Sequence, residues 1–193
     1  MNFSELRSAI SAHVNRNFTD AQLVLFVSLA EDEIRNDVRV RVQLNAATGT
    51  TTDNYIPAPL DLMEVRSLTM GQTLMRYTEP GQFTDMVDAQ QRGAYTILGD
   101  YIYVTEPVGT DYELVYWSAF ERLAADIDTN WLLTNAANVY LFAGCKHAAV
   151  FMKDVESVQG YEALYRQAVS ALNSREGAAM IGGQMRRTPR VVV

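Results

Sequence analysis

The stretch WLLTNAANVYLFAGCKHAAVFM, residues 131–152, decides the fold. It holds 22 residues and one formal charge, Lys146. Wound as a helix, it presents apolar side chains on every side. Such a helix is buried over most of its surface, so it needs partners all round. The sequence offers them at both chain ends. Over residues 4–16, Leu6, Ile10, His13 and Val14 recur at i, i+4, i+7 and i+8, which predicts a helix. Phe18-Thr19-Asp20 starts another, with Thr19 and Gln22 spaced as a capping box. That helix is expected to reach about Arg39. Leu23, Phe26, Val27, Ala30 and Ile34 form one apolar stripe on it, and Val24, Leu25 and Leu29 add a second. Two stripes imply two neighbours, in the same chain or in another copy. The acidic run Glu31–Asp37 reads as a solvated helix face. After a break at Asp154, Tyr161, Leu164, Tyr165, Ala168, Val169 and Leu172 keep helical spacing. This last helix is expected to stop by Gly182-Gly183, where glycines favour an end.

Between Val40 and Phe120 the period changes. Tyr55–Pro59 reads as a strand that its prolines end. Leu62–Met70 reads as a strand turned back by Gly71-Gln72 into Thr73–Tyr77, and Thr48–Thr52 as a polar turn. Pro80–Ala89 fits a short helix with proline in its first turn. Tyr95–Leu98 and Tyr101–Val104 flank Gly99-Asp100, the signature of a II′ hairpin, and Tyr112–Trp117 adds a strand. The expected fold is therefore α+β and mainly α. Residues 1–40 and 121–183 form a four-helix-type bundle. Residues 41–120 form an inserted, protruding, small antiparallel β-sheet. Residues 184–193 form an extended C-terminal tail.

Composition bounds the function. The 193 residues are 48% hydrophobic and 20% charged, a mixture that folds rather than staying disordered. About 70% of the chain's surface can be buried at this size. The single cysteine, Cys145, excludes a disulfide framework, and two histidines, His13 and His147, argue against a zinc or iron centre. No apolar run approaches the ~18 residues of a membrane span. The N-terminus carries Glu5 and Arg7 where a signal peptide is apolar. A soluble protein from a reducing compartment is the expectation, with no cofactor. The net charge of −7 disfavours a surface that grips nucleic acid. The last eight residues, RRTPRVVV, contain three arginines and no acid, and the other 185 carry 13 basic against 23 acidic groups.

The search for catalytic chemistry returns little. Cys145 and His147 lie two positions apart, ~200° around a helix, too far round for a nucleophile and its base. His13 reads as a structural histidine. The acidic groups Glu31/Asp32/Glu33, Asp85/Asp88 and Asp126/Asp128 lack the apolar pocket that splits the pKa values of an acid–base pair. Asp126 and Asp128 are expected to cap or face the N-terminus of the helix after Thr129. Phosphate-loop, dinucleotide, HExxH, GxSxG and EF-hand patterns do not occur in the sequence. Two features point to partners instead. Tyr95, Tyr101, Tyr103, Tyr112, Tyr116 and Trp117 gather in the insert, and alternation places Tyr101 and Tyr103 on one face. The tail joins Arg186, Arg187, Thr188, Pro189 and Arg190 to Val191, Val192 and Val193, a basic and β-prone segment suited to adding a strand to another protein.

Asp126–Asn135 followed by Val139-Tyr140-Leu141-Phe142-Ala143, then Phe151–Asp154 and Tyr161-Glu162-Ala163-Leu164-Tyr165, resembles the head-to-tail adaptor proteins of short-tailed and related tailed bacteriophages. Ile56–Leu68 resembles the family's strand with a proline, an aspartate and an arginine at matching places. Asn135-Ala136-Ala137 departs from it, since a proline is expected there at the helix entry. The resemblance implies a virion neck protein, made in the host cytoplasm, with no catalysis. It implies a ring of twelve copies beneath the portal protein, with the insert towards the tail nozzle and DNA passing through the lumen. The tail, Arg186–Val193, would dock on the portal. Val24, Leu25 and Leu29, with Tyr101, Tyr103 and Tyr116, are the candidate subunit or tail interfaces. A head-completion or stopper protein is the nearest alternative. A small ligand-binding domain or enzyme with a pocket on the tyrosine-rich sheet is the more distant one.

Overall fold

The computed structural model describes residues 1–185. Arg186–Val193, the expected docking tail, lies outside the described residues. Six helices and two small sheets make up the described chain, which is about half helical. The helices are α1 (Phe3–Val14), α2 (Asp20–Asp37), α3 (Pro80–Asp88), α4 (Trp131–Asn135), α5 (Ala137–Met152) and α6 (Val155–Met185). The strands are β1 (Leu44–Thr50), β2 (Tyr55–Pro57), β3 (Leu62–Met70), β4 (Thr73–Leu74), β5 (Arg76–Tyr77), β6 (Ala94–Leu98), β7 (Tyr101–Val104) and β8 (Asp111–Ser118). The chain divides into two units, a helical one of Met1–Arg41 with Phe120 onward, and an inserted one of Val42–Ala119.

In the helical unit α5 packs against α1, α2, α4 and α6. Val139, Tyr140, Ala143, Cys145 and Ala148 are buried there among Phe3, Leu6, Ile10, Phe26, Val27, Ile34 and Tyr165. The small residues on α5 let its neighbours come close. A Cβ built on Gly144 would stand 2.5 Å from Ile10 Cδ1. The stretch 131–152 is two helices rather than one. Asn130 Oδ1 accepts from Leu133 N (2.9 Å), so α4 has its own cap. Asn135 turns its amide back to Trp131 O (2.8 Å), and Ala136 leaves helical geometry at φ −147°, ψ 53°. Short polar side chains that bond the local backbone compete with helix continuation in this way. The capping box of Thr19 and Gln22 forms as the sequence suggests. Lys153 adopts φ 61° and ends α5, and Asp154 accepts from Ser157 N (3.1 Å) at the start of α6. The last helix begins six residues before Tyr161 and passes through Gly182-Gly183 to Met185. Glycine in a helix costs ~1 kcal/mol relative to alanine and does not forbid it.

The inserted unit departs from the expected single antiparallel sheet. One sheet has strand order β1-β8-β3-β4 and the other β2-β7-β6-β5. The segment Thr73–Tyr77 is not one strand. It leaves the first sheet after Leu74, buries Met75, and joins the second as β5, parallel to β6. Thr48–Thr50 is not a turn either but the end of β1, paired with Asp111–Glu113. The sequence LNAATGT lacks the β-branched and aromatic density that marks a strand, and β8 imposes the extended form on it. Ile56, Leu68, Met70, Ile102, Val104 and Leu114 form this unit's own core. The Gly99-Asp100 hairpin and the Pro80 helix match the sequence reading. Gly99 has φ +57°, the conformation the first central residue of a II′ turn requires. Gln43 Nε2 donates to Ser118 O (3.1 Å) and Ser118 Oγ to Gln43 O (3.1 Å), which tie the insert's two ends together.

Candidate interaction surfaces

Cys145 and His147 do not form a catalytic pair. Cys145 is fully buried in the helical core, and burial pushes its thiol up to about 12. His147 faces Glu33 instead, with Nε2 3.3 Å from Oε2. Burial, followed by the charge of Lys146, lowers its imidazole below the ordinary 6.5. His13 sits edge-on to Phe142 and Tyr161, at 6.3 and 6.0 Å between centroids, a structural place.

The acidic run on α2 is not the solvated face it resembles. Glu31 Oε1 accepts from Leu123 N (2.9 Å) and from Tyr140 Oη (3.5 Å). Desolvation is the main reason its carboxyl lies above the ordinary 4.5. Glu33 binds Lys146, whose Nζ also reaches Glu162 Oε2 at 3.0 Å and lies 5.0 Å over the Tyr165 ring. Tyr165 Oη donates to Asp37 Oδ2 (3.0 Å). Lys146, the one charge of the apolar stretch, and Glu33 of α2 therefore satisfy each other, with Glu162 of α6 as the lysine's second partner. A buried lysine must be paired, and that rule, applied to Lys146, points to an acid such as Glu33. Asp32 keeps to the surface, bonded to Arg122 at 2.5 Å, and Asp37 is exposed as well.

Asp126 and Asp128 also differ from expectation, because Asn130 already caps α4. Asp126 binds Arg7, which stacks 4.8 Å over Phe3. Asp128 Oδ2 accepts from Ala124 N (2.9 Å) and Ala125 N (2.7 Å), and these bonds hold its carboxyl below the ordinary 3.8.

The partner-facing candidates divide. Val24, Leu25 and Leu29 are 42%, 51% and 42% exposed, large apolar side chains on the outer side of α2. Tyr101 (44% exposed) and Tyr103 share the outer face of the second sheet with Tyr55, which sits 4.9 Å from Tyr101 and 5.9 Å from Tyr103 between ring centroids. Tyr55 enters this set through its pairing opposite Tyr103, a long-range register that alternation within β7 does not reveal. Tyr116 belongs elsewhere. It is buried in the insert's core with its hydroxyl bonded to Asp61 Oδ1 (3.1 Å), so it is a core residue rather than a surface one. A polar groove of about 540 Å³ runs along α1 and α2 past Arg7, Ser8 and Asn15. A second of about 650 Å³ lies in the insert between Phe83, Val87 and Tyr103. Among the described residues no group of three or more His, Cys, Asp or Glu side chains is placed to hold a metal, and no helix is long and apolar enough to cross a membrane.

Exposed apolar and aromatic side chains on two compact, internally paired units are features of proteins that work by contact with other protein surfaces. The chain matches the family model of the SU10 adaptor protein over residues 1–190 and belongs to that family, a phage structural family whose members are virion components. No curated protein matches it.

Proposed function

We propose that this chain is a head-to-tail adaptor that forms a ring, of about twelve copies by the family resemblance, beneath the portal of a tailed phage. The family match across nearly the whole chain carries this reading. The ring closes the packaged head and leaves a lumen through which DNA passes. It also presents a platform to the tail. The acidic balance supports a conduit that does not grip DNA, since like charge keeps the duplex off the wall. Val24, Leu25 and Leu29 form the side that meets the neighbouring copy. The basic segment Arg186–Val193 docks on the portal, with its arginines on carboxylates and its valines extended along a portal strand. The role is architectural and involves no catalysis.

Electron microscopy of purified chain mixed with purified portal tests the proposal, with each alone as control. A ring of added density on one end of the portal is expected. Deletion of Arg186–Val193 should remove that density while the circular dichroism of the chain stays unchanged. No association at any ionic strength would overturn the adaptor assignment. Full association of the truncated chain would overturn the role of the tail alone.

A further inference from the structure

The acidic charge is unevenly spread. Residues 42–119 contain ten acidic and three basic side chains, a net of −7 in the insert alone. Every ion pair among the described residues lies in the helical unit. There, even partly buried acids such as Glu33 and Glu162 have cations. In the insert eight of the ten acids are exposed, and none joins an ion pair among the described residues. Unpaired like charge on a 78-residue unit repels itself, a cost that a basic partner would relieve.

The same unit carries the open tyrosine group. Tyr55, Tyr101 and Tyr103 lie in one patch on the outer face of β2 and β7, with rings tilted or edge-on at 4.9, 5.9 and 6.4 Å. Asp53 stands two residues before Tyr55, and Asp100 stands in the turn just before Tyr101. Both are exposed. A π face with an exposed carboxylate close by in the chain and outside any ion pair suits a guanidinium, which stacks flat on the ring and donates in its plane to the acid.

We propose that this face docks an arginine-bearing segment of a tail component, a guanidinium stacking on Tyr101 with Asp100 taking its N–H groups, or at the other end of the patch on Tyr55 with Asp53 taking them. The inference rests on the adaptor reading and gives the chemistry of the partner at one of its surfaces. The excess of acid on the insert favours a basic protein over nucleic acid, whose phosphates the same carboxylates repel. Arginine is preferred to lysine, because the ammonium is more strongly hydrated and cannot stack.

The test uses the full chain, labelled with nitrogen-15, and two blocked peptides, Gly-Arg-Gly-Arg-Gly-Arg-Gly and its lysine counterpart. Shifts are expected at Tyr55, Ile102 and Tyr103, with the arginine peptide bound about two- to fivefold more tightly, the size of one exposed cation–π contact. Tyr101→Leu, which keeps apolar area and loses the π face, should reduce that preference. Combined with Tyr55→Leu it should abolish it. Asp53→Asn with Asp100→Asn should weaken both peptides and their salt dependence. Equal affinity for the two peptides, shifts centred elsewhere such as α2, or a preference that survives loss of both rings would overturn the proposal. Ring formation by the unsubstituted chain on purified portal is scored in parallel. A ring that forms while the unsubstituted chain shows no preference for the arginine peptide refutes this inference and leaves the adaptor reading standing.

Discussion

Replacing Gly144 by alanine should destabilise the helical unit, although the same change usually stabilises a helix. Gly144 lies in α5 where α1 crosses it. The new methyl would stand 2.5 Å from Ile10 Cδ1 and 3.1 Å from Ile10 Cγ1, against an ordinary contact of 3.4–4 Å. Ile10 is fully buried and cannot swing into solvent. It must leave its rotamer or the helices must part, and overpacking of this sort costs ~2–3 kcal/mol towards the upper end of its range. The propensity gain from Gly to Ala returns ~1 kcal/mol. The net expectation is a loss of about 1–2 kcal/mol, or roughly 2–8 °C in the melting temperature of a chain this size. Gly160→Ala on α6 is the control, because nothing lies within 4 Å of its added Cβ, and it should gain stability. Ile10→Val removes the clashing atom. Alone it costs ~0.5–1.5 kcal/mol. With Gly144→Ala the new methyl occupies the vacated space, so the pair should be less destabilised than the sum of the singles by about 1 kcal/mol or more. Thermal and denaturant unfolding followed at 222 nm read all four variants. If Gly144→Ala stabilises as much as Gly160→Ala, the close crossing of α1 and α5 is wrong.

Three further outcomes follow from the buried polar groups. Lys146→Met removes the cation shared by Glu33 and Glu162, leaving Glu162 its Arg166 partner and Glu33 only the imidazole of His147, and should cost about 2–3 kcal/mol at pH 7, less than a fully buried pair because both acids keep some exposure. The carboxyl of Glu162 is held below the ordinary 4.5, first by its bond from Arg166 and then by Lys146, so its contribution is present above pH 4.5 and lost as pH falls through the lowered value. Acid titration of the Met variant should therefore show a smaller loss over that window, and an unchanged profile would refute the pairing. Glu31 runs the other way, since burial raises its carboxyl, and the cost of ionising it grows as pH rises from 4.5 towards the folded value. Glu31→Gln keeps an acceptor for Leu123 N and should match or exceed the parent at pH 7 and lose that advantage by pH 4. Glu31→Ala orphans the N–H and should cost ~1–3 kcal/mol, so equal losses for the two variants in a melt would refute the argument. Cys145, with its thiol pushed up to about 12, should resist Ellman's reagent in the native chain and react at the rate of unfolding. Rapid native labelling would mean the α5 core is open.

The elements that the sequence made legible were those whose signal is local. The Thr19–Gln22 box needs four residues, the Gly99-Asp100 turn needs two, and both appear where their spacing puts them. The split at Ala136 was hidden because the apolar pattern continues across it, and only the Asn135 amide turning back to Trp131 reveals the end. β1 was hidden for the opposite reason. Leu44–Thr50 has weak strand character, and its seven-residue register on β8 comes from the partner strand. The sheet switch at Met75 likewise depends on two sheets competing for one short segment, which no window along Thr73–Tyr77 contains.

The charged network shows why a face read from composition can be misassigned. Acids at 31, 33 and 37 on α2 look like solvated surface when counted as a run, since runs of like charge usually are. Taken as a helix, Glu31 and Glu33 sit 200° apart and flank the buried stripe of Ile34 from its two edges. Each edge then meets a different neighbour, Leu123 and Tyr140 on one side and Lys146 and Glu162 on the other. The charges of α2 thus orient the helix between α5, α6 and the Leu123 segment. Its remaining arc, with Leu25 and Leu29, is left outward. An apolar arc fixed outward by ion pairs on the helix's inner edge is a defined surface, in place whether or not a neighbour is present. If ring contacts use it, Leu25→Asp with Leu29→Asp should stop ring formation on portal and leave the melt of the free chain within about 1 kcal/mol of the parent, as exposed substitutions do. Loss of both together would mean that the arc holds the chain's own fold rather than a neighbouring copy.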